Sequence, residues 1–184
     1  MRPCLTTLAA GCVALCLPHG GLHAQKSPIT RTMQRVERRA GHNVLEAAED
    51  MPEARYGFRP TPEQMTFGQL VLHIAGVNFV LCSALNGTTI PNQHELSPTD
   101  PKDLLVQRLN RSFDLCNAAL EHADDANLAD SVPLFGGGKA TRGAVMIDLA
   151  IDWADHYAQA ATYLRLSGLK PPSATDQEKD KENM

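Results

Sequence analysis

One stretch, residues 141–166, constrains the fold more than any other. It reads TRGAVMIDLAIDWADHYAQAATYLRL, and Val145, Leu149, Trp153, Tyr157, Ala160 and Leu164 recur in it at steps of three and four. That period predicts an amphipathic helix. Asp148, Asp152, Asp155 and His156 lie in or beside the apolar stripe. Asp152 and His156 are four apart, so they project from one face about one turn from each other and can share a ligand. A helix that only packs has no need of an aspartate and a histidine there. Chemistry is expected if another element brings a third group to meet them.

Three further helices are predicted. Residues 30–50 carry Met33, Val36, Ala40, Val44, Leu45 and Ala48 at helical spacing, and Met51-Pro52 ends the run. Residues 67–85 follow Thr66, a good N-cap, with Phe67, Leu70, Val71, Ile74, Val77, Asn78 and Leu81 as the inward stripe and His73 on its flank. Residues 102–123 present Leu104, Leu105, Leu109, Phe113, Cys116 and Leu120. No alternating pattern is long enough for a sheet, so the expected fold class is all-α, a four-helix bundle. His42, His94 and His122 fall at ordinary surface or boundary positions.

The connection between the second and third helices is long. Antiparallel neighbours need about two to eight residues, whereas residues 88–101 make a crossover along the bundle possible, which leaves these helices parallel. Cys82 then stands 16 residues beyond Thr66 and Cys116 stands 15 beyond Pro101. At about 1.5 Å rise per residue the two reach nearly the same level, and a Cys82–Cys116 disulfide is predicted. The run Gly136-Gly137-Gly138-Lys139 lacks the first glycine and the Ser/Thr of a phosphate loop, so it is expected to be a flexible turn.

The ends of the chain bear on location. Arg2, the apolar run 5–17 and Leu22-His23-Ala24 before Gln25 have the form of a cleaved secretory signal over residues 1–24. The apolar run is too short to span a bilayer, which takes about 20 residues. Cys12 lacks the upstream leucine of a lipidation site. Of five cysteines, Cys82 and Cys116 remain after cleavage, an even pair suited to an oxidising compartment. The expectation is a secreted or periplasmic protein, free of the membrane after cleavage, with one domain over residues 25–170 and a solvated, charged, irregular tail over 171–184. The net charge of −4 and the absence of any basic cluster exclude a nucleic-acid partner.

Two segments, PEARYGFRPTPEQMTFGQLVLHIAG and DHYAQAATYLRLSGLKPPS, resemble the DinB-like (YfiT-like) family of metalloenzymes, with the likeness running over about residues 36–173. The resemblance implies a four-helix bundle, often a homodimer, holding a divalent metal with three histidines, one from helix two and two from helix four. Position by position it implies His73 and His156 as two ligands and places the third on Asp152, where the family has histidine. Two histidines and a carboxylate suit zinc, nickel or iron(II). Asp152 either ligates directly or only hydrogen-bonds His156, and Asp155 either orients His156 or is a plain charge on the helix surface. Relatives include thiol transferases and a mycothiol-dependent maleylpyruvate isomerase. The functional expectation is therefore a metal-dependent hydrolase or transferase of unspecified small-molecule substrate, with a non-catalytic metal- or small-molecule-binding bundle as the alternative. Pocket walls are expected from Phe67, Leu70, Trp153 and the two long loops.

Overall fold

The computed structural model describes residues 28–182; the expected signal segment, with Cys4, Cys12 and Cys16, lies outside them. Four long helices form the body: α1 (Pro28–Asp50), α2 (Phe67–Asn86), α3 (Lys102–His122) and α4 (Arg142–Leu166). Their starts follow local chemistry. Thr66 Oγ1 accepts from the Gln69 backbone N–H while Gln69 Oε1 accepts from that of Thr66, a reciprocal cap that satisfies two otherwise orphaned donors at the head of α2. Thr141 caps α4 by accepting from Ala144 N at 3.2 Å.

Directions follow from paired contacts. Asn78 bonds Ser112 and Cys82 bonds Cys116, so position rises together along α2 and α3 and these helices run parallel. Against α4 the order reverses: Asn78 meets Trp153, whereas Met65, just before α2, accepts from the Tyr163 hydroxyl. Gln34 reaches the Leu120 carbonyl and Lys102 that of Glu49, which makes α1 antiparallel to α3. The predicted crossover is thus present, and the two cysteines meet as a disulfide with Cα atoms 5.0 Å apart. Closing a loop with a sequence separation of 34 restricts the unfolded chain, a contribution of about 3–4 kcal/mol in the chain-entropy account.

Two segments differ from expectation. Residues 171–184 are not an irregular tail throughout: α5 (Pro172–Glu182) turns back against α1. Pro172 opens it with a φ already set for a helix, and Ala174, Gln177 and Glu178 are strong helix formers. Pro171 and Pro172 are buried, Ser173 N donates to Tyr157 Oη at 2.9 Å, and Asp176 pairs with His42 at 3.2 Å. The glycine run, expected as a flexible turn, closes a small antiparallel hairpin of β1 (Ser131–Pro133) and β2 (Lys139–Thr141). Gly136 and Gly137 there have φ of 81° and 84°, which side chains disfavour.

The core holds a satisfied polar chain. Asn78, fully buried, accepts from Trp153 Nε1 at 2.7 Å and donates to Ser112 Oγ at 3.0 Å, and the Ser112 hydroxyl donates to the Leu109 carbonyl at 2.7 Å. Asn78→Leu strands the buried indole N–H of Trp153, so it should cost about 2–4 kcal/mol in urea unfolding. A loss below about 0.5 kcal/mol would show the network to be dispensable. Glu37, 4 % exposed, is a second buried polar group. Burial, offset in part by Arg38 and reinforced by Asp114 and Glu121, lifts its carboxyl from 4.5 to about 7. The folded state therefore holds this proton while the unfolded chain releases it. Stability is full below pH 4.5, declines as pH rises towards 7, and above that carries a deficit of up to about 3 kcal/mol. Glu37→Gln should remove that decline and exceed wild type in unfolding free energy at pH 8 but not at pH 4. Parallel pH profiles for the two proteins would contradict the assignment.

Candidate metal centre

The Asn78–Trp153 bond sets the register in which α2 and α4 meet. Five residues back along α2 is His73; three residues on along α4 is His156. The helices are antiparallel, so both steps go towards the same end of the bundle, and the imidazoles come together. Their ring centroids are 4.7 Å apart with planes at 82°. Asp152, one turn before His156, turns its Oδ1 to His156 Nε2 at 3.2 Å. Among the described residues, His73, Asp152 and His156 form a group in which one donor atom from each lies within 4.8 Å of the others. These are the three residues singled out by the sequence.

The three differ in access. His156 is buried, Asp152 is partly buried and His73 is exposed, so the cluster lies at the bundle surface with His73 at its mouth. Two of its atoms are buried without any hydrogen-bond partner: Asp152 Oδ2 and His156 Nδ1. A buried polar atom left unpaired costs about 1–3 kcal/mol, so both are natural positions for a cation to satisfy. The hydrogen bond that Asp152 accepts from the His156 ring raises the His156 pKa above 6.5; burial opposes the shift, and the charges of Asp152 and Asp155 and, least, the Gln159 side chain add to it. The cluster attracts positive charge, and a metal entering it must displace the proton that the imidazole otherwise takes up. The donor set of two imidazoles and one carboxylate fits a divalent transition metal.

Other candidates fall elsewhere. Asp155, open between orienting His156 and a plain surface charge, does not bond His156: one residue away is about 100° round the helix, and its exposed carboxylate takes Gln159 Nε2 at 3.2 Å instead. Its influence on His156 is through charge alone. His42 lies on the α5 side and His94 and His122 are exposed. Phe67 and Leu70, expected as pocket walls, are each 1 % exposed and belong to the core. Trp153 is equally buried and borders a different cavity of about 520 Å³ between α1, α4 and α5, edged by Val36, Asn43 and Tyr157. The space beside the cluster is instead a shallow trough of about 450 Å³ along α2, lined by His73, Leu72, Gly76, Val77, Val80 and Leu81. A sequence signal existed for it. The mean hydropathy of α2 reaches 1.6, high enough by composition to cross a membrane, with 61 % of that window buried in the bundle. The apolar remainder is the trough.

The chain matches the model of the DinB superfamily over residues 38–160. No curated protein matches it significantly. Among solved structures it is similar to a DinB-like protein from Bacillus cereus, with TM-score 0.63 and 14 % identity over 77 % of this chain and 95 % of that one. A DinB-like protein from Bacillus subtilis gives 0.60 and 18 %, over 74 % and 92 %. A mycothiol-dependent maleylpyruvate isomerase gives 0.55 and 14 %, over 70 % of this chain and 59 % of that one. At these identities the likeness to solved structures is one of fold.

Proposed function

The chain belongs to the DinB superfamily, and from that premise we propose that His73, Asp152 and His156 hold a divalent metal, as zinc, nickel or iron(II), in a metal-dependent hydrolase or transferase. One observation carries this reading: three metal-ligating side chains from two helices converge within 4.8 Å, and two of their buried atoms have no other partner. Bound there, the metal would polarise a substrate group and acidify a nucleophile at an open coordination position. His156 and Asp152 come from one rigid helix, one turn apart, and fix two of the three donor positions. His73 completes the set from α2 on the exposed side, so a small molecule approaches past it. Asp152 in place of a histidine lowers the net charge of the loaded site by one.

The direct Asp152–His156 contact favours a second reading, a non-catalytic metal- or small-molecule-binding bundle, because the pair closes on itself without a metal. The Cys82–Cys116 disulfide and the form of residues 1–24 support a secreted or periplasmic location. A homodimer belongs to the same proposal.

The test is bound metal in the untagged mature protein. Wild type should carry or take up one equivalent of zinc, nickel or iron(II). His73→Ala and His156→Ala should each weaken binding at least tenfold, and Asp152→His should retain or strengthen it. Wild type that is metal-free and cannot be reconstituted would overturn the metal site. Stoichiometric metal without turnover of ester, amide or thiol-transfer substrates would favour the non-catalytic reading.

A further inference from the structure

Trp153 and Tyr157 each follow a donor of the metal centre by one position, which turns them about 100° round α4 and onto its other flank. There they border the cavity of about 520 Å³ between α1, α4 and α5. Its volume is in the range that takes a small ligand, about 300–1,000 Å³. Three helices wall it, and the third, α5, lies beyond the residues matched to the DinB superfamily. Buried prolines, the Ser173 N–H on Tyr157 and the Asp176–His42 pair hold α5 in place, so the third wall is fixed.

The cavity is apolar on one side and rich in donors on another. Val36, Ala40 and Ala150 are half-buried against it, and the buried Trp153 lies behind them. Asn43 also lines it, is only 8 % exposed, and its amide makes no hydrogen bond to any described residue. A buried amide without a partner is uncommon and calls for one. One turn away on the same face of α1 stands Arg39, which no described ion pair or hydrogen bond engages. Across from them the Tyr157 hydroxyl oxygen accepts from Ser173 N at 2.9 Å, and no described group accepts the hydroxyl proton. A guanidinium, an amide and a phenol O–H thus face one space with protons to donate.

These donors select the ligand. A carboxylate accepts from all three, and its bond to Arg39 is charge-assisted. The rest of the ligand meets Val36, Ala40 and Ala150, where apolar atoms are favoured. A second carboxylate is disfavoured, because Asp176 lines the α5 side and already carries the negative charge that His42 faces. We propose that this cavity is a second binding site, separate from the metal centre, for a small monocarboxylate with an apolar body. Arg39, Asn43 and Tyr157 hold the carboxylate, and the body lies between α1 and α4 under α5.

Calorimetry on the untagged protein with three probes of one apolar body tests it: hydrocinnamate, its uncharged amide, and benzylsuccinate with a second carboxylate. Hydrocinnamate should bind more tightly than either of the others by about fivefold or more. Arg39→Gln changes an exposed side chain and should bring hydrocinnamate and its amide to within about twofold of each other. Asn43→Leu keeps the side-chain volume and removes the amide. It should weaken hydrocinnamate by about fivefold or more without lowering the urea unfolding midpoint, a combination that a structural role for Asn43 does not produce. Affinities should agree to within about twofold with and without an equivalent of zinc, because the two sites lie on different flanks of α4. Equal binding of hydrocinnamate and either of its companions, or full affinity retained in either variant, would overturn the proposal. So would the failure of hydrocinnamate to bind at millimolar concentration. Affinity that appears only with zinc, or that His156→Ala abolishes, would assign the carboxylate to the metal centre and also overturn it.

Discussion

The structure depends on a single buried amide. Asn78 holds the indole of Trp153 with its oxygen and the hydroxyl of Ser112 with its nitrogen, so one side chain of α2 sets the height of both α4 and α3. Aliphatic contacts between helices tolerate sliding by a turn at modest cost, because one leucine replaces another. A buried amide does not, since sliding leaves donors and acceptors unpaired in a medium without water. The register fixed in this way is what brings His73 opposite His156. The disulfide one turn further along α2 locks the same register covalently, so the α2–α3 pair is held by two constraints of different chemistry.

The topology explains why the site is on α2 and α4. The long crossover over residues 87–101 carries the chain back along the bundle, so α3 runs beside α2 in parallel and covers its disulfide side. The seam between α2 and the antiparallel α4 stays open at the surface, with His73 exposed at its edge. The α1-facing side of α4 is closed differently: α5 returns across it and ties down through Tyr157 and His42. The helix that carries the donors thus has one flank bordered by the exposed His73 and one strapped.

Much of this was legible in the sequence, for identifiable reasons. The four long helices declare themselves because each carries a stripe at steps of three and four. The parallel pair and its disulfide follow from the length of one loop and the nearly equal offsets of Cys82 and Cys116. The donor cluster was legible because Asp152 and His156 stand four apart on one helix, and because the family resemblance singled out His73. What escaped lacked periodicity. The segment that forms α5 has no apolar stripe, and it is held by two buried prolines, a backbone N–H on Tyr157 and an ion pair, none of which leaves a repeat. The hairpin has three-residue strands with a single buried position, Val132, too short for alternation to register. The trough escaped because α2 is apolar nearly all round, so composition alone does not tell its buried face from its exposed one. Of the two readings open for Asp155, the surface charge holds for a geometric reason: adjacency in sequence is not adjacency on a helix.

The central claim is that an aspartate at position 152 completes a three-ligand site with His73 and His156. Anomalous diffraction at the zinc edge, from crystals grown with the metal, tests it most directly. The account predicts one peak bonded to a nitrogen of each histidine at about 2.0–2.1 Å and to an oxygen of Asp152 at about 2.0–2.2 Å. A peak held by the two histidines with Asp152 turned away, or no peak at this cluster in zinc-soaked crystals, would contradict it.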